Sequence, residues 1–145
     1  MRLLKVVVHS DVILDHLLHR QPNASVLRLA MMKFFCYTTV FNAIELFSLA
    51  RTAKEVHAVE DAMSAMKILG LNAKQAKRYG DWFAHKRSAT VINKLVAGIC
   101  MESKLPLVTG NVNDFRGIRG LSIIRSTIIN AKASAAEIYA MVKTQ

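Results

Sequence analysis

The stretch "VVVHSDVIL", residues 6–14, decides the fold. A β-branched apolar run stops at His9-Ser10-Asp11, and apolar residues then resume. Three consecutive valines without polar alternation read as a strand buried on both faces, the habit of a parallel sheet. A polar cluster directly after such a strand, ahead of a helical segment, falls beyond the strand's carboxyl end. That is where α/β proteins build their sites.

Working outward, strands and helices alternate. Residues 3–8 form the first strand and residues 12–19 a helix, which stops near Gln21-Pro22 because proline disfavours helix in the residue before it. Asn23 or Ser25 caps a second helix to about Met32, with Val26, Leu29 and Ala30 on one face. Residues 34–38 read as a second strand. Residues 39–51 read as a helix carrying Ile44, Leu46, Phe47 and Ala50. Residues 52–69 place Val56, Val59, Met63 and Met66 on one helical stripe, with Gly70 as the C-terminal cap. Asn72 and Gln75 resemble a capping pair for a helix to about Ala84. Residues 89–102 are a further helix, "LPLVTGN" (105–111) a strand and "GLSII" (120–124) a short strand. Ser134 and Glu137 make a capping box for a last amphipathic helix, about 134–143, with Ile138, Met141 and Val142. The alternation predicts one α/β domain over residues 1–145 with a mostly parallel sheet and a core spanning 4–124.

Lys and Arg total 20 against 10 Asp and Glu, a net charge of +10. That balance predicts an acidic partner such as RNA or an acidic protein; plain solubility explains it without one. With 52% apolar residues the chain is not an intrinsically disordered one. Cys36 and Cys100 lie in apolar segments without CxxC spacing and read as buried reduced thiols, predicting a cytoplasmic protein. The most lipid-like window, residues 31–50, is broken by Lys33, Asn42 and Glu45 and changes period halfway. It reads as strand then helix, with no membrane span. The apolar run at the start is too short for a signal peptide.

The polar residues at strand ends are the site candidates: His9, Ser10 and Asp11 after the first strand, and Thr109, Asn111 and Asp114 after "LPLV". Glu45 joins them as a carboxylate in an otherwise apolar helical stretch. A carboxylate in such a place is either a metal ligand or a hydrogen-bonded structural acid.

Four segments in order, "VVVHSDVILDHLL", "TTVFNAIELFSLAR", "NKLVAGICMESKLPLVTGNVNDF" and "GIRGLSII", resemble the PIN-domain family, in particular toxins of the VapC type. They span nearly all of residues 4–124. The resemblance implies a three-layer α/β/α sandwich. It also implies RNA cleavage by one or two Mg²⁺ or Mn²⁺ ions held on carboxylates, hard oxygen ligands that such ions prefer.

Residue by residue, the chain departs from the family's acid pattern. His9 stands where the first acid belongs, Glu45 matches the second, Asn93 replaces the third and Asn111 holds the fourth place. Asp114 follows as in the family's Asn-x-x-Asp-Phe. Losing two acids from one small cavity weakens hard-cation binding. A single ion on Asp11, Glu45 and Asp114, with Ser10 and Thr109 supporting them, is the remaining arrangement, and His9 would suit a softer metal. Arg116 and Arg119 are the phosphate-binding candidates by position. "KQAKRYGDWFAHKR", residues 74–87, interleaves basic and aromatic residues for an RNA backbone, or packs its rings inward. His16 and His19 read as a solvated helix end rather than a metal pair. The resemblance thus implies a VapC-like homodimer with an impaired nuclease site that binds RNA or an acidic antitoxin-like partner. The alternatives are an active metal-dependent endoribonuclease toxin and a purely protein-binding module.

Overall fold

The computed structural model describes residues 3–84 and 89–145. Val6, Val7 and Val8 are all fully buried. Val6 and Val8 belong to the core on one face of the sheet and Val7 to the core on the other, as the two-residue period of a strand requires. The strand β1 (Lys5–Val8) lies between β2 (Phe35–Thr39) and β4 (Leu107–Thr109). With β3 (Lys67–Leu69), β5 (Ser122–Arg125) and β6 (Lys143–Thr144) it makes a six-stranded sheet in the order β3-β2-β1-β4-β5-β6. All pairings are parallel except β5 with β6.

Helices cover both faces, giving the expected three-layer α/β/α sandwich. One layer buries Val12 and Ile13 of α1 (Ser10–Leu18), Leu27 and Ala30 of α2 (Val26–Lys33), Leu46 of α3 (Val40–Leu49), Val59 and Met63 of α4 (Ala53–Ser64), and Ile138 of α7 (Ala135–Ala140). The other buries Val96, Ala97 and Cys100 of α6 (Val91–Ser103), with Phe83 of α5 (Ala76–Phe83) packed against them. The chain runs from β1 outward to β3, then crosses back to β4. The strand order therefore reverses between β1 and β4, the crevice where open α/β sheets bind ligands.

Helix starts follow their caps. Ser25, Thr39, Thr52, Thr90 and Ser134 each accept a backbone N–H three residues on. Asn72 and Gln75 form the expected capping box. The first helix begins at Ser10, earlier than residue 12, because His9 takes the cap position.

Two expectations fail at strand edges. Residues 52–69 are not one helix: α4 stops at Ser64, and Lys67–Leu69 pairs in parallel with β2 through Thr38↔Ile68. Met63 and Met66 are both buried, so a helical stripe and a helix followed by a turn leave the same apolar trace. The last helix ends at Ala140 rather than near 143. Lys143 pairs with Ile123 instead, and the Gln145 amide donates to the Phe115 and Ile118 carbonyls. Long-range hydrogen bonds override local propensity there.

Residues 31–50 divide among α2, β2 and α3, and no helix among the described residues is long and apolar enough to cross a membrane. Cys36 and Cys100 are buried and unpaired.

Candidate functional site

Beyond the carboxyl ends of β1 and β4 lies a cleft of about 480 Å³. Its lining contains His9, Ser10, Asp11, Glu45, Asn93, Asn111 and Asp114. Residues separated by up to about a hundred positions are thus brought to one place. β1 delivers His9 to Asp11, one turn of α3 delivers Glu45, the first turn of α6 delivers Asn93, and the turn after β4 delivers Asn111 and Asp114. Among the described residues the lining carries three carboxylates and no lysine or arginine, on a chain of net charge +10. Leu14, Leu46, Leu49 and Ile92 form its apolar walls. Thr90 and Ile92 were not picked out from the sequence; the only signal was Thr90's place as cap of α6.

Asp11 does not face the cleft as a free ligand. Its carboxylate accepts from the Val12 N–H (2.9 Å), the Gly110 N–H (2.8 Å) and the Thr109 hydroxyl (3.1 Å). His9 Nδ1 lies 2.9 Å from Oδ1. The same nitrogen also stands 3.4 Å from the Asp11 N–H, which would need the opposite tautomer. An ionised carboxylate only accepts, so the shorter contact favours a proton on Nδ1. Burial pushes the Asp11 carboxyl up, but the His9 ring, the Gly110 N–H and the Thr109 hydroxyl outweigh it and hold it below its ordinary 3.8. Four donors thus converge on this carboxylate, two on each oxygen. Asp11 ties the end of β1 to the end of β4 across the reversal point. Of the two readings left open for an acid here, the hydrogen-bonded structural one describes Asp11.

His9 is buried and packs edge-on against Phe115, with ring centroids 5.2 Å apart. Ser10 donates its hydroxyl to Glu45 Oε1. Glu45 and Asp114 are exposed to the cleft. Thr109 is fully buried and also accepts the Asn111 N–H at 3.0 Å.

A divalent ion on Asp11, Glu45 and Asp114 needs an oxygen of each to be free and convergent. Asp11 offers none, and among the described residues no three His, Cys, Asp or Glu side chains are grouped to hold a metal. The residues present do not fit a Mg²⁺ or Mn²⁺ centre.

Arg116 and Arg119 are exposed and lie outside the cleft lining; Arg116 donates to Asn113 Oδ1 at 2.8 Å. In the basic-aromatic segment, Tyr79 is buried and Trp82 and Phe83 pack beside it, with centroid separations of 5.3 and 6.2 Å. Lys77 pairs with Asp81 and Arg78 with Glu102. The rings turn inward and the nearby charges are partly neutralised. The end of that segment, residues 85–87, lies outside the described residues. His16 and His19 are half-buried rather than fully solvated: His16 bonds the buried Ser25 hydroxyl and His19 accepts the Gln21 N–H.

No protein-family model matches the sequence, and no curated protein matches it. Solved structures do share the fold. A DNA-bound VapBC from Salmonella typhimurium aligns with TM-score 0.70 and 18% identity over 86% of this chain and 99% of that one. VapBC2 from Rickettsia felis, bound to a DNA fragment from its promoter, aligns at 0.68 and 17% over 84% and 98%. VapBC-1 from nontypeable Haemophilus influenzae aligns at 0.67 and 17% over 86% and 99%. The fold is the PIN-like one expected from the four segments.

Proposed function

We propose that this chain is a VapC-like member of a toxin–antitoxin pair whose nuclease site is impaired and which acts by binding RNA or an antitoxin-like protein. The observation that carries the reading is the state of the cleft. Every position that the family uses for acids lines it, yet His9 and Asn93 replace two of them and Asp11 is consumed by hydrogen bonds. The similarity to VapBC complexes supports a partner protein. So does a leucine-lined groove beside the cleft, formed by Leu14, Leu17 and Leu18 of α1 with Leu46 and Leu49 of α3. Leu18 and Leu49 are 74% and 52% exposed, and a partner's apolar helix or tail would cover them. Ile44 on α3 and Val91 on α6, 57% and 70% exposed, support a homodimer through the neighbouring α3–α6 face.

The active-nuclease alternative draws on Glu45 and Asp114, which remain open to the cleft. One experiment separates the readings: incubate the chain with labelled RNA, with and without Mn²⁺, alongside Glu45→Gln. The proposal expects salt-sensitive RNA retention without cleavage, unchanged by Glu45→Gln. Mn²⁺-dependent cleavage abolished by Glu45→Gln would establish the active enzyme instead.

A further inference from the structure

A second cavity, of about 580 Å³, opens at the β5–β6 edge of the sheet and shares no lining residue with the cleft. Its walls include Ile123, Ile128, Met141 and Val142, and its rim carries Arg125 and Lys143. Lys143 sits directly across from Ile123, and Arg125 is two residues further along β5. Arg125 and Lys143 therefore stand on the same face of the sheet as diagonal neighbours, with backbone positions roughly 7–8 Å apart in a regular antiparallel pair. No Asp or Glu side chain among the described residues lines the cavity, and neither cation is in an ion pair among them. Neighbouring like charges over an apolar floor repel, and a bridging anion removes that cost.

The chemistry of the walls narrows the occupant. Among the described residues no aromatic ring lines the cavity, and the side-chain amide there, of Gln145, already donates inward to Phe115 and Ile118. Among the described lining residues a nucleobase would find no ring to stack on and little to pair with. Aliphatic side chains between carboxylates match both the floor and the rim. Among the described residues β6 is the edge strand of the sheet with no strand on its outer side, and an extended chain can lie along it. We infer that this edge docks an extended acidic peptide segment of a partner protein, with aliphatic side chains entering the cavity and carboxylates bridging Arg125 and Lys143. The inference stands apart from the reading of the cleft.

The test is fluorescence anisotropy of the full chain with an end-capped, labelled peptide alternating Glu and Leu, beside its Lys-Leu counterpart. The acidic peptide should bind saturably and the basic one should not. Arg125→Ala with Lys143→Ala should weaken binding at least tenfold, and Arg125→Gln alone by a smaller factor. Lys54→Ala with Lys67→Ala removes the same charge elsewhere and should change binding less than twofold. Both changed pairs are exposed, and thermal melts verify that each variant folds. Three results overturn the inference: equal weakening by the two double variants, no saturable binding by the parent, or loss of single-stranded RNA binding rather than peptide binding in the Arg125/Lys143 variant.

Discussion

At the scale of single residues, Asp11 is the position whose role the structure changes most. In the sequence it is one more acid after a strand, a candidate ligand beside Glu45 and Asp114. In the fold it holds Val12, Thr109 and Gly110 together. Gly110 is shaped to it: a Cβ there would come within 3.0 Å of Ser126 Oγ and 3.3 Å of Asp11 Oδ2. Asp11→Ala should therefore destabilise the chain by about 1–3 kcal/mol, since it leaves the Gly110 N–H and Thr109 hydroxyl without their charged acceptor. The sign of the pH dependence follows from the lowered carboxyl. Its stabilisation is complete above the unfolded value near 3.8 and is lost as pH falls through the lower folded value. Thermal unfolding between pH 2 and 6 should show a steeper acid loss in the parent than in Asp11→Asn. Parallel curves would remove Asp11 from the account.

At the scale of elements, α5 and α6 meet through one contact that composition does not announce. A Cβ on Gly98 of α6 would lie 2.3 Å from the Tyr79 ring, which Trp82 and Phe83 hold in place. Gly98→Ala should cost about 1–3 kcal/mol by overpacking. Gly80, inside α5, has open space around its missing Cβ, so Gly80→Ala should stabilise by up to about 1 kcal/mol. Denaturant titration followed by Trp82, the one tryptophan, reads both. The same reasoning explains what was legible beforehand. The buried strand at Val6 to Val8, the capping pair Asn72–Gln75 and the capped start at Ser134 carry their signals locally, and those features came out as read. β3 and β6 do not. Lys67–Leu69 and Lys143–Thr144 are strands only because β2 and β5 offer them partners. The positions of the cleft were legible from motif order. The engagement of the Asp11 carboxylate was not, because its partners Thr109 and Gly110 sit almost a hundred residues away.

At the scale of the whole molecule, the described cleft lining carries carboxylates while the chain is strongly basic, and the exposed aliphatic side chains include Ile44 and Leu49 of α3 and Val91 and Ile92 of α6. If the α3–α6 face joins two copies, light scattering should report twice the 16.1 kDa chain mass, and Ile44→Glu with Val91→Glu should halve it without lowering the helix content. A parent that stays monomeric at high micromolar concentration would contradict the dimer.

On the function proposed above, the cleft keeps the family's acid positions without the free acids to hold a hard cation. Thermal unfolding of the parent and of the double variant His9→Asp with Asn93→Asp, each in chelator and in Mn²⁺, tests it most directly. Comparing each protein with itself sets aside what His9→Asp loses against Phe115. Two added carboxylates beside Glu45 should repel one another in chelator and bind Mn²⁺ in the folded state. At a hundredfold excess over the dissociation constant, Mn²⁺ should raise the double variant's midpoint on the order of 5–10 °C and leave the parent's unmoved. A parent shift as large as the variant's, or no shift in either, would contradict the claim.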